Sequence, residues 1–235
     1  MQNLKDKVAL ITGASKGIGY GIAQALLKLG VKVAITSRSQ ESADEAAKKL
    51  GGEVLALASD VKSAKSQQEA VDETIKKFGS IDFLIANAGV GHFAPIDEMD
   101  ENDWHNVIDT NLTGVFLSVK AALPALKKSK GYIITISSLA GTNFFAGGSA
   151  YNASKFGLTG FSQSIMLDLR NHGVKVSTIM PGSVATHFND HEPDKNKDAW
   201  KIQPEDIGQM VCDLLNMNPR TLPSKIEVRP TKTSN

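Results

Sequence analysis

Tyr151 and Lys155 stand four positions apart in a stretch of helical period that runs from Tyr151 to His172. That spacing places a phenol and an ammonium on one helix face, within reach of each other. A phenol with a pKa of about 10 is a poor base near neutrality, and a neighbouring ammonium stabilises its phenolate. Such a pair could give a proton to a nascent alkoxide, or take one from an alcohol. Alone, the pair also fits an ordinary amphipathic face. It gains meaning from Ser137 and Ser138, which end a β-branched run, Ser138 lying thirteen residues before Tyr151. Alternation along Ile134 to Ser138 aims the two hydroxyls oppositely, so one of them could hydrogen-bond a substrate oxygen and fix its carbon for attack.

A second constellation lies near the start. Val8 to Thr12 reads as a strand and runs into Gly13-Ala14-Ser15-Lys16-Gly17-Ile18-Gly19, where a helix opens. Glycines at 13, 17 and 19 let the backbone turn tightly and approach a pyrophosphate, whose charge meets free amides and the positive helix end. A dinucleotide is the expected ligand. An acid at the end of the second strand would bind ribose hydroxyls and repel a 2′-phosphate, whereas a basic residue accepts that phosphate. The second strand ends Thr36-Ser37-Arg38-Ser39 without an acid, and Lys16 faces the same corner. NADP(H) is therefore the expected cofactor, with Ser15, Lys16, Ile18, Ser37 and Arg38 among its contacts.

These groups need a scaffold, and the chain supplies an alternation of short β-branched runs with helical stretches. Strands are expected over 8–12, 31–36, 54–58, 81–86, 132–137, 174–180 and 225–228. Helices are expected over 18–29, 42–50, 64–78, about 101–126, 151–172 and 204–216. This is the pattern of an α/β fold: a single-domain, Rossmann-type, doubly wound parallel sheet of about seven strands with helices on both faces. One dinucleotide-binding domain over residues 1–235 is expected, with ligands beyond the carboxyl ends of the strands. The longest stretch without period, Gly182 to Gln203, is polar and carries His187, His191 and Pro193. It suggests a substrate lid over about 183–203.

The Gly-x-x-x-Gly-x-Gly spacing is followed in order by Asp60-Val61, Asn87-Ala88-Gly89, Asn111, Ile136-Ser137-Ser138, Tyr151-x-x-x-Lys155 and Pro181-Gly182-x-Val184-x-Thr186. From Lys7 to about Thr186 the chain resembles the short-chain dehydrogenase/reductase family. The resemblance selects Ser138 over Ser137 as the catalytic serine beside Tyr151 and Lys155. It implies that Asn111 completes a water-linked proton relay to Lys155, and that Lys155 also bonds the nicotinamide ribose. Asp60 and Val61 would hold the adenine, Asn87, Ala88 and Gly89 would line the cofactor cleft, and Val184 and Thr186, after Pro181 and Gly182, would grip the nicotinamide carboxamide. It further implies NADP-dependent hydride transfer to or from a small carbonyl or secondary alcohol, in a homo-oligomer, tetramer or dimer, paired through the 101–126 and 151–172 helices.

The substrate itself is less legible, because pocket walls are built from variable loops. Candidate walls are Gly91, His92, Phe93, Thr142, Asn143, Phe144, Phe145 and Phe188. The ending Pro223 to Lys232 resembles NADP-dependent reductases of short 3-hydroxy acids. A 3-oxoacyl-acyl-carrier-protein reductase is the main rival, with Lys127, Lys128 and Lys130 as a candidate basic docking surface. A non-catalytic dinucleotide sensor or scaffold is a reading of another class, but a pure binder has no need of aligned Ser138, Tyr151 and Lys155.

Bulk properties narrow the classes further. The 26 basic and 25 acidic residues nearly cancel, and no Lys/Arg block suits nucleic acid or an anionic membrane surface. The only cysteine, Cys212, allows no internal disulfide, suits a reducing compartment and falls in an apolar helical pattern that suggests core packing. The five histidines lack ligand spacing, so no metal is expected. No apolar run approaches the roughly 20 residues of a membrane span, and Met1 to Lys7 is polar rather than a signal segment. A cytoplasmic protein is expected.

Overall fold

The computed structural model describes residues 3–233; Met1 and Gln2 of the polar N-terminal stretch, with Ser234 and Asn235, lie outside them. Strands are β1 (Val8–Ile11), β2 (Lys32–Ser37), β3 (Val54–Ala58), β4 (Phe83–Ala86), β5 (Tyr132–Ile136), β6 (Lys175–Pro181) and β7 (Lys225–Val228). Helices are α1 (Gly17–Lys28), α2 (Gln40–Leu50), α3 (Ala64–Phe78), α4 (Glu101–Ile108), α5 (Gly114–Ser129), α6 (Ser149–Leu169) and α7 (Pro204–Asn216). The strands form one sheet in the order β3-β2-β1-β4-β5-β6-β7, and every pairing is parallel. The expected doubly wound sheet of seven strands is what forms. The winding reverses between β1 and β4, which opens a crevice at their carboxyl ends.

Strands buried on both faces read as continuous apolar runs, and Val8, Ala9, Leu10 and Ile11 of β1 are all buried. Side-chain alternation then divides them. Ala9 and Ile11 pack with Ile22 and Leu26 of α1 and with Ile207 and Val211 of α7. Leu10 packs on the other face with Val119 and Leu126 of α5 and Leu158 of α6. Helices α1 and α7 touch through backbone: a Cβ on Gly208 would lie 2.6 Å from the Gly21 carbonyl oxygen. Cys212 of α7 is buried in this layer, and burial pushes its thiol up to about 11.

One expected element divides. The 101–126 helix is α4 and α5 separated by a π-helical turn, Asp109–Thr113. The turn carries one extra residue, which drives the Asn111 side chain into the interior, where it is fully buried. The helix of Tyr151 starts at Ser149, two residues before the expected boundary. No helix among the described residues is long and apolar enough to cross a membrane.

Candidate active site

The turn after β1 is held open by its neighbours. Gly13 and Gly17 adopt φ of +64° and +62°, and a Cβ on Gly13 would sit 2.8 Å from Ala88 Cα. Asn87 bonds the carbonyl oxygens of Thr12 and Gly13 through Nδ2 at 3.0 and 2.9 Å. The Thr12 hydroxyl accepts the amides of Asn87 and Ala88. The turn is thus clamped to the end of β4, with Ser15, Lys16, Gly17 and Ile18 lining the cleft. Gly19 does not line it; a Cβ there would strike Asn87 Nδ2 at 2.5 Å, so this glycine serves the clamp.

Ser37 and Arg38 line the same end of the cleft, followed by Asp60 and Val61 after β3. The Asp60 loop is fixed by Gln67, whose Nε2 donates to Ser59 Oγ at 2.7 Å and to the Asp60 carbonyl at 3.3 Å. Thr36, 1% exposed, lines this end with a buried hydroxyl that finds no partner among the described residues. A glycine cradle, exposed Lys16 and Arg38, no carboxylate at the end of β2 and an orphaned hydroxyl are a donor set that fits a phosphorylated dinucleotide.

Beyond β5, the two serines diverge. Ser137 turns into α6, its hydroxyl 3.2 Å from the Lys155 carbonyl oxygen and 3.1 Å from Thr159 Oγ1. Ser138 lines the cleft; its Oγ accepts the Ala140 amide at 3.1 Å and hydrogen-bonds the Tyr151 phenol. Burial raises the Tyr151 pKa, and the Ser138 hydrogen bond offsets part of that rise. Lys155 is buried, its Nζ 3.0 Å from the Ile136 carbonyl oxygen and 5.7 Å from the Tyr151 ring centroid. Burial brings its pKa down to about 8. The expected lowering of the tyrosine by its lysine neighbour is not what forms: the phenol is desolvated, its only lowering contact is Ser138, and the ammonium spends a donor on β5. At neutral pH Tyr151 is protonated, the state of a proton donor.

Asn111 does not line the cleft. Its Nδ2 donates to the Val90 carbonyl at 2.9 Å and to Ser154 Oγ at 3.0 Å, while Oδ1 accepts the Val90 amide at 2.8 Å. The side chain thus staples the loop after β4 to α6. Gly89 leaves room beside it, since a Cβ there would lie 3.3 Å from Asn111 Oδ1 and 3.6 Å from Lys155 Nζ.

Together these groups line one cleft of about 1160 Å³ along the carboxyl ends of the strands. Asn87, Ala88, Gly89, Pro181, Gly182, Val184 and Thr186 line it as expected. Of the candidate walls, Phe93, Asn143, Phe144, Phe145 and Phe188 face it, and three do not. His92 pairs with Asp103 at 3.0 Å, the Thr142 hydroxyl donates to the Leu139 carbonyl, and Gly91 lies beneath the Phe188 ring. Lys127, Lys128 and Lys130 sit where α5 ends and β5 is about to begin, at the amino ends of the strands and so opposite the cleft. Sequence reasoning missed Thr36, Trp200 and Lys201 as cleft residues. It also missed Asn152, whose Nδ2 holds the carbonyls of Ala140 and Asn143 at 2.8 Å each. An asparagine in the first turn of a helix beside a loop was the available signal.

A family model described as short chain dehydrogenase matches residues 7–197. The chain belongs to the short-chain dehydrogenases. A 3-oxoacyl-(acyl-carrier-protein) reductase of Vibrio cholerae is 36% identical over 202 residues, 86% of this chain and 83% of that protein. Among solved structures, a metagenomic short-chain oxidoreductase in complex with NADP is 36% identical with a TM-score of 0.85, covering 98% of this chain and 100% of that one. An alcohol dehydrogenase from the archaeon Thermococcus sibiricus, complexed with 5-hydroxy-NADP, is 31% identical with a TM-score of 0.89, covering 97% and 98%. As a short-chain dehydrogenase this chain is an oxidoreductase acting on CH–OH and C=O groups.

Proposed function

We propose that the chain reduces a small carbonyl compound with NADPH, and oxidises the corresponding secondary alcohol in reverse. The observation that carries this reading is the Ser138–Tyr151–Lys155 group at the carboxyl end of β5, on a cleft whose far corner holds Lys16 and Arg38. The two NADP complexes among its structural relatives support the cofactor. Ser15, Lys16, Ser37 and Arg38 would receive the 2′-phosphate end and Asp60 with Val61 the adenine, while Val184 and Thr186 would meet the nicotinamide. The cofactor supplies the hydride that the carbonyl carbon accepts.

The protein does the rest. Ser138 Oγ donates a hydrogen bond to the carbonyl oxygen and fixes the carbon. Tyr151 Oη gives its proton to the same oxygen as the alkoxide forms. The buried Lys155 ammonium stabilises the phenolate left behind. Asn111 acts as a positioning residue through Val90 and Ser154, and a water in the space beside Gly89 would link Lys155 Nζ to Asn111 Oδ1. In solution the chain would be a homo-oligomer, tetramer or dimer. Exposed Phe116 on α5, with Phe156 and Leu167 on α6, supports pairing of these helices. A reducing cytoplasm suits the single buried cysteine.

Short 3-oxo acids are the first candidate substrates, and a 3-oxoacyl group on an acyl carrier protein is the second, favoured by the Vibrio cholerae relative. Lys127, Lys128 and Lys130 lie at the wrong end of the strands to guide such a carrier to the cleft. Following NADPH absorbance with acetoacetate, ethyl acetoacetate and acetoacetyl-coenzyme A separates the readings. Fastest turnover of the free acid or small ester supports the first and a dominant thioester the second. No turnover of any of the three removes the proposal.

A further inference from the structure

The segment from Ser183 to Gln203 is tied at both ends. Val184 and Ile202 form an isolated parallel bridge, with Ala185 N donating to the Ile202 carbonyl at 2.9 Å and Ile202 N to the Ser183 carbonyl at 3.1 Å. Inside the segment one carboxylate organises the rest. Asp198, 4% exposed, accepts His191 Nε2 at 2.6 Å and the Asp194 amide at 3.0 Å through Oδ2, and Lys201 Nζ at 2.7 Å through Oδ1. A buried carboxylate is tolerable only when paired and hydrogen-bonded in this way. Its backbone is anchored as well: the Asp198 carbonyl accepts Gln203 Nε2 at 3.2 Å, and Gln203 caps α7.

The other end of this network reaches the reacting groups. The His191 amide donates to the Phe188 carbonyl at 3.3 Å. The Phe188 ring lies 5.6 Å from the Tyr151 ring and 6.5 Å from Phe93, which itself meets Tyr151 edge-on at 5.5 Å. Space for Phe188 exists because residue 91 is glycine; a Cβ there would sit 2.5 Å from Phe188 Cζ. An unbroken path of contacts therefore runs from the cap of α7 through Asp198 and His191 to the aromatic rings packed against the Tyr151 ring.

We propose that Asp198 is a positioning residue for the reaction: through His191 and Lys201 it latches this segment so that Phe188 covers Tyr151 and closes the carbonyl pocket to water. The inference rests on Tyr151 being the proton donor. The desolvation that raises the Tyr151 pKa fits such a cover. Water excluded from this point strengthens the hydrogen bonds that Ser138 and Tyr151 offer the substrate oxygen. The cover also makes Phe188 and Phe93 the walls that select the carbonyl's apolar flank.

A double-mutant cycle tests this, with NADPH and ethyl acetoacetate as the probes. Asp198→Asn and Phe188→Ala should each lower kcat/KM by about tenfold or more. NADPH affinity should stay within about twofold of wild type, and the double variant should lose no more than the worse single, within about twofold. Wild-type kcat/KM in Asp198→Asn, or losses that multiply in the double variant, would overturn the latch. If Asp198→Asn does not fold, His191→Gln at its part-exposed position carries the same cycle. Wild-type turnover in Tyr151→Phe would instead sink the proton-donor reading, whatever the cycle shows.

Discussion

The Lys155 ammonium donates to the Ile136 carbonyl oxygen at 3.0 Å, so a buried cation pins the helix of Tyr151 to the last residue of β5. That bond holds the phenol beside the Ser138 strand end, and it carries a cost. The Lys155 pKa, about 8, lies below the ordinary 10.5 because burial penalises its charge.

The cost sets a stability difference that depends on pH. Below pH 8 Lys155 is charged in both folded and unfolded chains, and the folded chain bears the desolvation. Between pH 8 and 10.5 the unfolded chain holds the proton that the folded chain has lost, so this group's contribution to stability rises with pH. Lys155→Met should therefore be more stable than wild type by about 2 kcal/mol at pH 7, after loss of the Ile136 hydrogen bond. The gain should shrink toward pH 10.5 while turnover is lost throughout. Urea unfolding at pH 7 and pH 10 checks it; a Met variant less stable at pH 7 would contradict the account.

Neighbouring serines should separate turnover from stability. Ser138→Ala removes the hydroxyl shared with Tyr151 and should lower kcat by about 100-fold with little change in unfolding. Ser137→Ala removes a buried hydroxyl bonded within α6 and should cost about 1 kcal/mol of stability while sparing kcat. Steady-state kinetics and thermal unfolding of both variants decide; equal kcat losses would remove the assignment of Ser138.

Cofactor choice rests on charge at the end of β2. NADPH should bind more tightly than NADH by at least about 1.4 kcal/mol, or tenfold. Ser37→Asp should reverse much of that by placing a carboxylate between Lys16 and Arg38. Fluorescence titration of both nucleotides measures it, and equal wild-type affinities would remove the basis for the preference.

Local motifs were legible in the sequence because their geometry is local. Four residues of helix bring Tyr151 to Lys155, and the glycines after β1 turn the chain wherever a strand and a helix flank them. The π-helical turn at Asp109–Thr113 was not legible, because Asn111, which the turn points inward, finds its partner in Val90, 21 positions away. The apolar period continues through the turn and reads as one helix. His92 was expected at the pocket wall and instead pairs with Asp103, a partner that no period announces. Asp198 escaped notice for the same reason: His191 and Lys201 lie in a polar stretch whose order comes from ion pairs rather than apolar spacing. Lys127, Lys128 and Lys130 were a candidate basic docking surface for a carrier protein, and the direction of α5 puts them at the amino ends of the strands, away from the cleft.

The proton donor is the central claim, and one substitution addresses it. Tyr151→Phe removes the only proton the ring can give and keeps its packing against Phe93 and Phe188. With NADPH and the best of the three oxo compounds, kcat should fall by about 1000-fold or more while the NADPH dissociation constant stays within about twofold. Turnover near wild type in that variant would show that the proton comes from elsewhere, and the catalytic assignment would fall even with the fold intact.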